Sequence, residues 1–156
     1  MALIVIRFTS LMLTALLAGT SFGIWIGLNP KDYSPATYLE QQQHLVQALH
    51  ALMVTMVILA TLFTLISAFM QRQHKPVFIA LLAASTFLFS CIIISRFGNL
   101  PIQQEMLSWT VDTIPDNWTV LRDKWWTLHV FRTIAELCAL TIIAWTTISN
   151  RILNAP

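Results

Sequence analysis

The chain has 156 residues, of which 56% are hydrophobic and only 10% charged, with a net charge of +2 and a mean hydropathy of +0.69. A soluble domain carries about 25% charged residues, so a disordered chain or a nucleic-acid-binding one is excluded for want of charge and polar surface. The net charge is too small to argue for an acidic partner. Four apolar runs near the length of a membrane crossing instead predict an integral, multi-pass membrane protein whose main partner is the lipid bilayer.

The first run, 8–28, ends at Asn29-Pro30. It is longer than the roughly 7–15 apolar residues of a secretory signal and is expected to be a retained span. The second, 48–70, ends at the basic segment Gln71-Arg72-Gln73-His74-Lys75. The third, 76–95, ends at Arg96, and the fourth, 130–149, contains Arg132 and Glu136 before Asn150-Arg151. With their polar shoulders the spans are placed at about 8–28, 45–70, 76–96 and 124–149, as one transmembrane domain. Backbone in lipid must satisfy its own hydrogen bonds, and continuous rather than alternating apolar runs select helices over a barrel. The predicted fold is therefore all-α, a four-helix transmembrane bundle.

Ser34-Pro35 has the pattern of an N-cap followed by proline at the first helical position. The second helix is expected to run from there to Met70, on the order of 50 Å, well beyond the ~30 Å hydrocarbon layer. Pro115-Asp116-Asn117 offers the fourth helix an equally early start. Between spans three and four, Pro101 is expected to open a short lid helix whose Ile102, Met106 and Trp109 share an apolar face. Orientation follows the Lys and Arg of short loops. Arg7, Arg72, Lys75 and Arg151 predict that both termini are cytoplasmic, against Lys31, Arg96, Arg122 and Lys124 at the other end. Cys91 and Cys138 fall inside spans and read as small buried hydrophobes, with no CxxC spacing.

Polar side chains are costly in lipid, which makes those near the spans informative. Glu40, Gln43, His44, Gln47 and His50 fall within roughly 120° of one another on the second helix. On the fourth, Arg122, Trp125, His129, Arg132 and Glu136 fall within about 80°. Alternating topology brings both faces, with Asn29, Arg96 and Asn99, to one half of the bundle. A polar cavity with a closed bottom, opening toward the non-cytoplasmic side, is the arrangement expected. Plainer readings stay open beside this one. Arg132 and Glu136 form an i,i+4 pair that can neutralise itself. Gln41, Gln42 and His44 suit the wet end of a protruding helix, with Gln41 and Gln42 assigned there. His74 suits a solvated loop, and Trp118, Trp125 and Trp126 suit an interfacial belt.

The segment Arg96-Phe97-Gly98-Asn99-Leu100-Pro101-Ile102-Gln103, then Trp109, then Arg122-x-x-Trp125-x-x-x-His129-x-x-Arg132-Thr133, resembles the anthrone oxygenase-like family of small four-span membrane proteins. The first span, with Ala18-Gly19-Thr20-Ser21-Phe22-Gly23 leading to Pro30, is similar to it as well, so the resemblance extends over roughly 10–148. Where the family often has a second Asn after the Pro, this chain has Gln103. The resemblance implies oxidation of an anthrone-like or quinol-like lipophilic aromatic substrate by dioxygen, without an obvious cofactor. Such chemistry needs a base for an acidic carbon-bound proton and cationic donors for the oxyanion. On that basis His129 is the expected base, with Arg132, Arg96 and Asn99 in the catalytic group. Arg122, Trp125, Trp109, Gln43, Gln47, His50 and Glu136 are expected to bind substrate, the tryptophans by stacking.

Two rivals remain. Copper or iron could sit on His44, His50 and His129, since helical bundles build metal sites from facing side chains. Against it, His44 and His50 are about 120° apart around the helix, and the nearby arginines repel a cation. A transporter or complex subunit would need no enzyme site, but an ion path needs ionisable groups through the full thickness. Here they stop near Glu136, which favours a blind pocket.

Overall fold

The structure, a computed structural model, describes residues 1–153, with side chains as far as 149; Arg151, one of the basic residues used for orientation, lies outside the described side chains. Every element among these residues is helical: α1 (Ala2–Gly27), α2 (Pro35–Met70), α3 (Lys75–Ile94), α4 (Leu100–Leu107) and α5 (Trp118–Leu153). Four stretches, Ala2–Asp32, Pro35–Met70, Lys75–Leu107 and Trp118–Ser149, are long and apolar enough to cross a membrane.

The helix ends follow local chemistry. Ser34 Oγ accepts the Thr37 N–H at 3.3 Å while Pro35 takes the first position of α2, as its sequence predicts. At the other end of α2, the Gln71 amide turns back onto Ser67. The fourth long helix starts at Trp118, just after the Pro115-Asp116-Asn117 segment.

One boundary differs from expectation. The chain does not leave the third helix at Gly98 for a loop carrying a separate lid. It continues through a π-turn, Ser95–Asn99, closed by Leu100 N–H to Ser95 C=O, straight into α4. Pro101 has no N–H for a regular i→i−4 bond, and irregular turns of this kind gather where a proline interrupts the ladder. Gly98 lies in the turn because a Cβ there would sit 2.7 Å from Leu128 Cδ1 on α5.

The four long helices form a closed ring in the order α1, α2, α3, α5, each touching its two neighbours. Large apolar side chains such as Phe8, Leu62, Ile79, Phe131 and Trp145 point outward. The interior is small: Ala18, Ala60, Ala84 and Ala139 are fully buried beside Ser10, Thr14, Thr64 and Thr133. Lipid tails are as apolar as leucine, so membrane helices associate through close small-residue contacts and a few interhelical hydrogen bonds. Ser10 Oγ and Thr64 Oγ1, 2.7 Å apart, are such a pair between α1 and α2. Arg7 donates to the Thr146 and Thr147 carbonyls and ties α1 to α5 at the end that carries both termini.

Two apolar clusters fill the bundle. One, around Leu17, Ala60, Leu81, Leu88 and Ile143, occupies the half nearer the termini. The other, built on Tyr38, Leu39, Ile102, Met106, Trp109 and Trp125, roofs the opposite end. Ile102, Met106 and Trp109 share the buried face expected of them, and the Tyr38 hydroxyl contacts Met106 Sδ at 3.1 Å.

Candidate functional site

Between these clusters lies a cavity of about 240 Å³, whose walls come from all four long helices. α5 supplies Trp125, His129, Arg132 and Glu136, successive turns of one face. The π-turn and the end of α3 supply Ser95, Arg96 and Asn99, with Cys91 below them. α2 contributes Gln42, His50 and a run of aliphatic residues, and α1 contributes Leu17 and Ile24. The cluster nearer the termini lies below the cavity and the roof cluster lies over the end at which an opening was expected.

His129 is almost fully buried, and its surroundings set its ring. Nε2 lies 3.1 Å from the Ser21 carbonyl oxygen, which can only accept, so Nε2 carries the hydrogen and Nδ1 the lone pair. Nδ1 faces Arg132 Nη2 at 3.4 Å. The imidazole stacks on Trp125, at 5.3 Å between centroids and 6° between planes, and on Trp126 at 5.7 Å.

Arg132 is the hub. Nη1 donates to Ser95 Oγ at 3.1 Å, Nη2 meets His129, and Nε forms an ion pair with Glu136 Oε1 at 3.4 Å. A guanidinium has five N–H groups, so one hydrogen on each terminal nitrogen is left for a ligand. Glu136 is buried, with Ser21 beside its carboxyl group. The Asn99 amide donates to the Trp125 carbonyl at 3.1 Å, which aims Oδ1 away from that bond.

Among the described residues, buried polar atoms on the cavity wall without a hydrogen-bond partner are Asn99 Oδ1, Gln42 Oε1, Trp125 Nε1, Glu136 Oε2 and Arg132 Nε, the last held only by its ion pair with Glu136. A buried polar group costs about 1–3 kcal/mol when left unsatisfied, so a cluster of them marks a place where a ligand or water completes the bonding.

The expected site residues are thus divided. His129, Arg132, Asn99, Trp125, Glu136, Arg96 and His50 all line the cavity, with Arg96 and His50 exposed at its mouth. The others do not reach it. Gln43 donates to the Trp109 carbonyl at 3.1 Å and so holds the roof. Trp109 is buried in the roof cluster instead of lying against the cavity. Gln47, Glu40 and His44 are exposed on the outer side of α2. Arg122 pairs with Asp123 at 3.0 Å and lies over the Trp118 ring at 5.0 Å. Of the polar arc of the second helix, Glu40, His44 and Gln47 therefore face outward, while Gln43 reaches the roof and His50 the cavity wall. No three His, Cys, Asp or Glu side chains among the described residues gather closely enough to hold a metal ion. His44, His50 and His129 accordingly do not form a ligand set: the first lies outside the cavity, the second at its mouth and the third within.

Gln42 is the opposite case. Assigned to the wet end of the helix, it is buried and lines the cavity. It lies four residues before Val46 and seven before Leu49, on the core-facing stripe, and that register was the available signal. Ser21 carried a similar one, since Ser10, Thr14, Leu17 and Ser21 repeat at helical spacing and are all buried.

A sequence model of the anthrone oxygenase family matches residues 43–154, which contain α3, the π-turn, α4 and α5. No curated protein and no solved structure matches the chain.

Proposed function

The chain belongs to the anthrone oxygenase family, and we propose that it is a membrane-embedded oxygenase that oxidises a lipophilic aromatic substrate, anthrone-like or quinol-like, with dioxygen. The carrying observation is His129: a buried imidazole on the cavity wall, its Nε2–H tied to a backbone carbonyl and its Nδ1 lone pair beside a guanidinium. That pairing suits a base with a cation waiting for the charge it creates.

In this reaction the Arg132 Nη2–H leaves Nδ1 for the substrate oxygen, and the freed Nδ1 lone pair removes a proton from the ring methylene that is conjugated with the aryl ketone. The negative charge moves to the ketone oxygen, where the spare Arg132 hydrogens hold it. The carbon then takes up dioxygen. Overall the methylene becomes a carbonyl, with one oxygen atom entering the product and the other leaving as water. Trp125 supplies a flat apolar wall and an N–H donor, and Asn99 Oδ1 accepts from a phenol. Glu136 holds Arg132, while Arg96 and His50 meet the outer part of the substrate. Gln43, Gln47, Trp109 and Arg122 take no part in substrate contact. The site end is assigned to the non-cytoplasmic side, on the strength of Arg72 and Lys75 in the α2–α3 turn.

Turnover of an anthrone to its quinone in lipid nanodiscs, followed by absorbance under air, tests this directly. His129→Ala is expected to lower the rate by about 10²–10⁴-fold while the protein still elutes as a single folded species. A variant that keeps wild-type turnover removes the base assignment.

A further inference from the structure

The cavity has one side that is not closed. The roof cluster covers the end beyond the bilayer, the Leu17–Leu88 cluster closes the end toward the termini, and the wall residues from α1 and α5 are buried or half-buried. The exposed wall residues are His50, Val54 and Ile58 on α2 and Arg96 in the π-turn. Val54 and Ile58 are 39% and 43% exposed although they also line the cavity. The opening therefore lies between α2 and α3, on the flank of the bundle.

Its depth follows from helix geometry. The polar turn Gln71–Lys75 marks one surface of the membrane. Val54 and Ile58 lie about 24 and 18 Å along α2 from Met70, inside a hydrocarbon layer of ~30 Å. His50 lies about 30 Å from Met70, and Arg96 about the same distance from Lys75, so both reach the opposite interface. The opening is thus aliphatic where it faces acyl chains and basic where it meets headgroups. At 240 Å³ the cavity is smaller than the roughly 300–1,000 Å³ that encloses a drug-sized ligand. A tricyclic ligand would then be partly held in the opening itself.

We propose that this opening is a lateral window through which the ligand, a planar aromatic amphiphile with an acidic hydroxyl or carboxylate, enters from the bilayer leaflet. Val54 and Ile58 form its sill, and Arg96, with His50 opposite, receives the acidic group at the interface. Among the described residues, the Arg96 guanidinium has the neighbouring Phe97 ring as its contact, at 5.8 Å, and has no ion pair to break. The proposal rests on the reading of this cavity as the substrate site, but its test needs no turnover.

Binding of 9,10-anthraquinone and of its 2-carboxylate to the protein in nanodiscs can be followed by quenching of tryptophan fluorescence, with Trp125 on the cavity wall. Val54→Phe and Ile58→Phe, singly and together, are expected to slow association of both probes by about tenfold or more. Ile79→Phe, at a 65% exposed position outside the cavity wall, is expected to leave it unchanged. Arg96→Gln should weaken the carboxylate by about tenfold and leave the uncharged quinone unaffected. Wild-type association rates in the phenylalanine variants, an equal effect of Arg96→Gln on both probes, or no binding of either probe to the wild type would each overturn the window. Binding of the quinone by a wild type that cannot oxidise an anthrone ends the oxygenase reading and leaves the window standing. Unchanged turnover and association in the phenylalanine variants does the reverse.

Discussion

Arg132 meets three partners from two helices: Ser95, His129 and Glu136. Deep in a bundle such a hub is all or nothing, because removing one member strands the others. Arg132→Met leaves the buried Glu136 carboxyl without its cation and is expected to cost about 3–5 kcal/mol. The double variant Arg132→Met/Glu136→Leu should recover much of that stability and none of the activity. Thermal unfolding in detergent beside anthrone turnover separates the two outcomes, and full activity in the double variant would remove Arg132 from the site. His129, Arg132, Glu136 and Trp125 were legible from sequence because they share one helix face, and helical periodicity is a local property. Gln43, Gln47 and Arg122 obey the same periodicity beyond the cavity, where Gln43 reaches the Trp109 carbonyl, Arg122 meets Asp123 and the Trp118 ring, and Gln47 is exposed. Gln42 shows the converse: a single polar residue on an apolar stripe is more telling than a whole polar arc.

At the level of elements, the π-turn decides the shape of the site. It keeps the chain helical where Gly98 and Pro101 suggest a loop, and it turns Asn99 toward α5, where the amide reaches the Trp125 carbonyl. π-Turns inside helices often accompany functional sites. Here the turn also starts α4, which roofs the cavity through Ile102 and Met106. Gly98 makes the close approach possible, since any side chain must displace Leu128. Gly98→Val is expected to destabilise the protein by about 1–3 kcal/mol through overpacking and to lower turnover by shifting Asn99. A melting temperature equal to wild type would show that Leu128 gives way freely. The short helix itself was visible in the sequence from Pro101 and the Ile102, Met106, Trp109 spacing. Its continuity with α3 was not, because a π-turn has no residue signature comparable to an N-cap.

For the whole molecule, the outside is apolar as well as the inside. Bulky aliphatic and aromatic residues face out, while buried alanine, serine and threonine let the helices approach closely around the two apolar clusters. An apolar exterior is what lipid as a solvent permits. Orientation belongs to this scale too. Lys31→Cys, in the turn after α1, is expected to react with a membrane-impermeant maleimide on intact cells. Gln73→Cys, in the α2–α3 turn, should react only after permeabilisation. The opposite pattern would put the site end in the cytoplasm.

Length, hydropathy and the rarity of charge were enough to determine the all-helical membrane class, the four spans, the N-cap of α2 and the polar face of α5 that lines the cavity. Each of these depends on a residue's neighbours along the chain or on the solvent it must tolerate. The tertiary structure alone placed Gln42 on the cavity wall and the Ser21 carbonyl against His129, with Gln43, Gln47, Trp109 and Arg122 away from that wall. It alone put the exposed His50, Val54, Ile58 and Arg96 on the cavity wall, the observation from which a lateral opening is proposed. Which way a helix face points is set by the helices packed against it, and the ten per cent of charged residues acquire their meaning only from that arrangement.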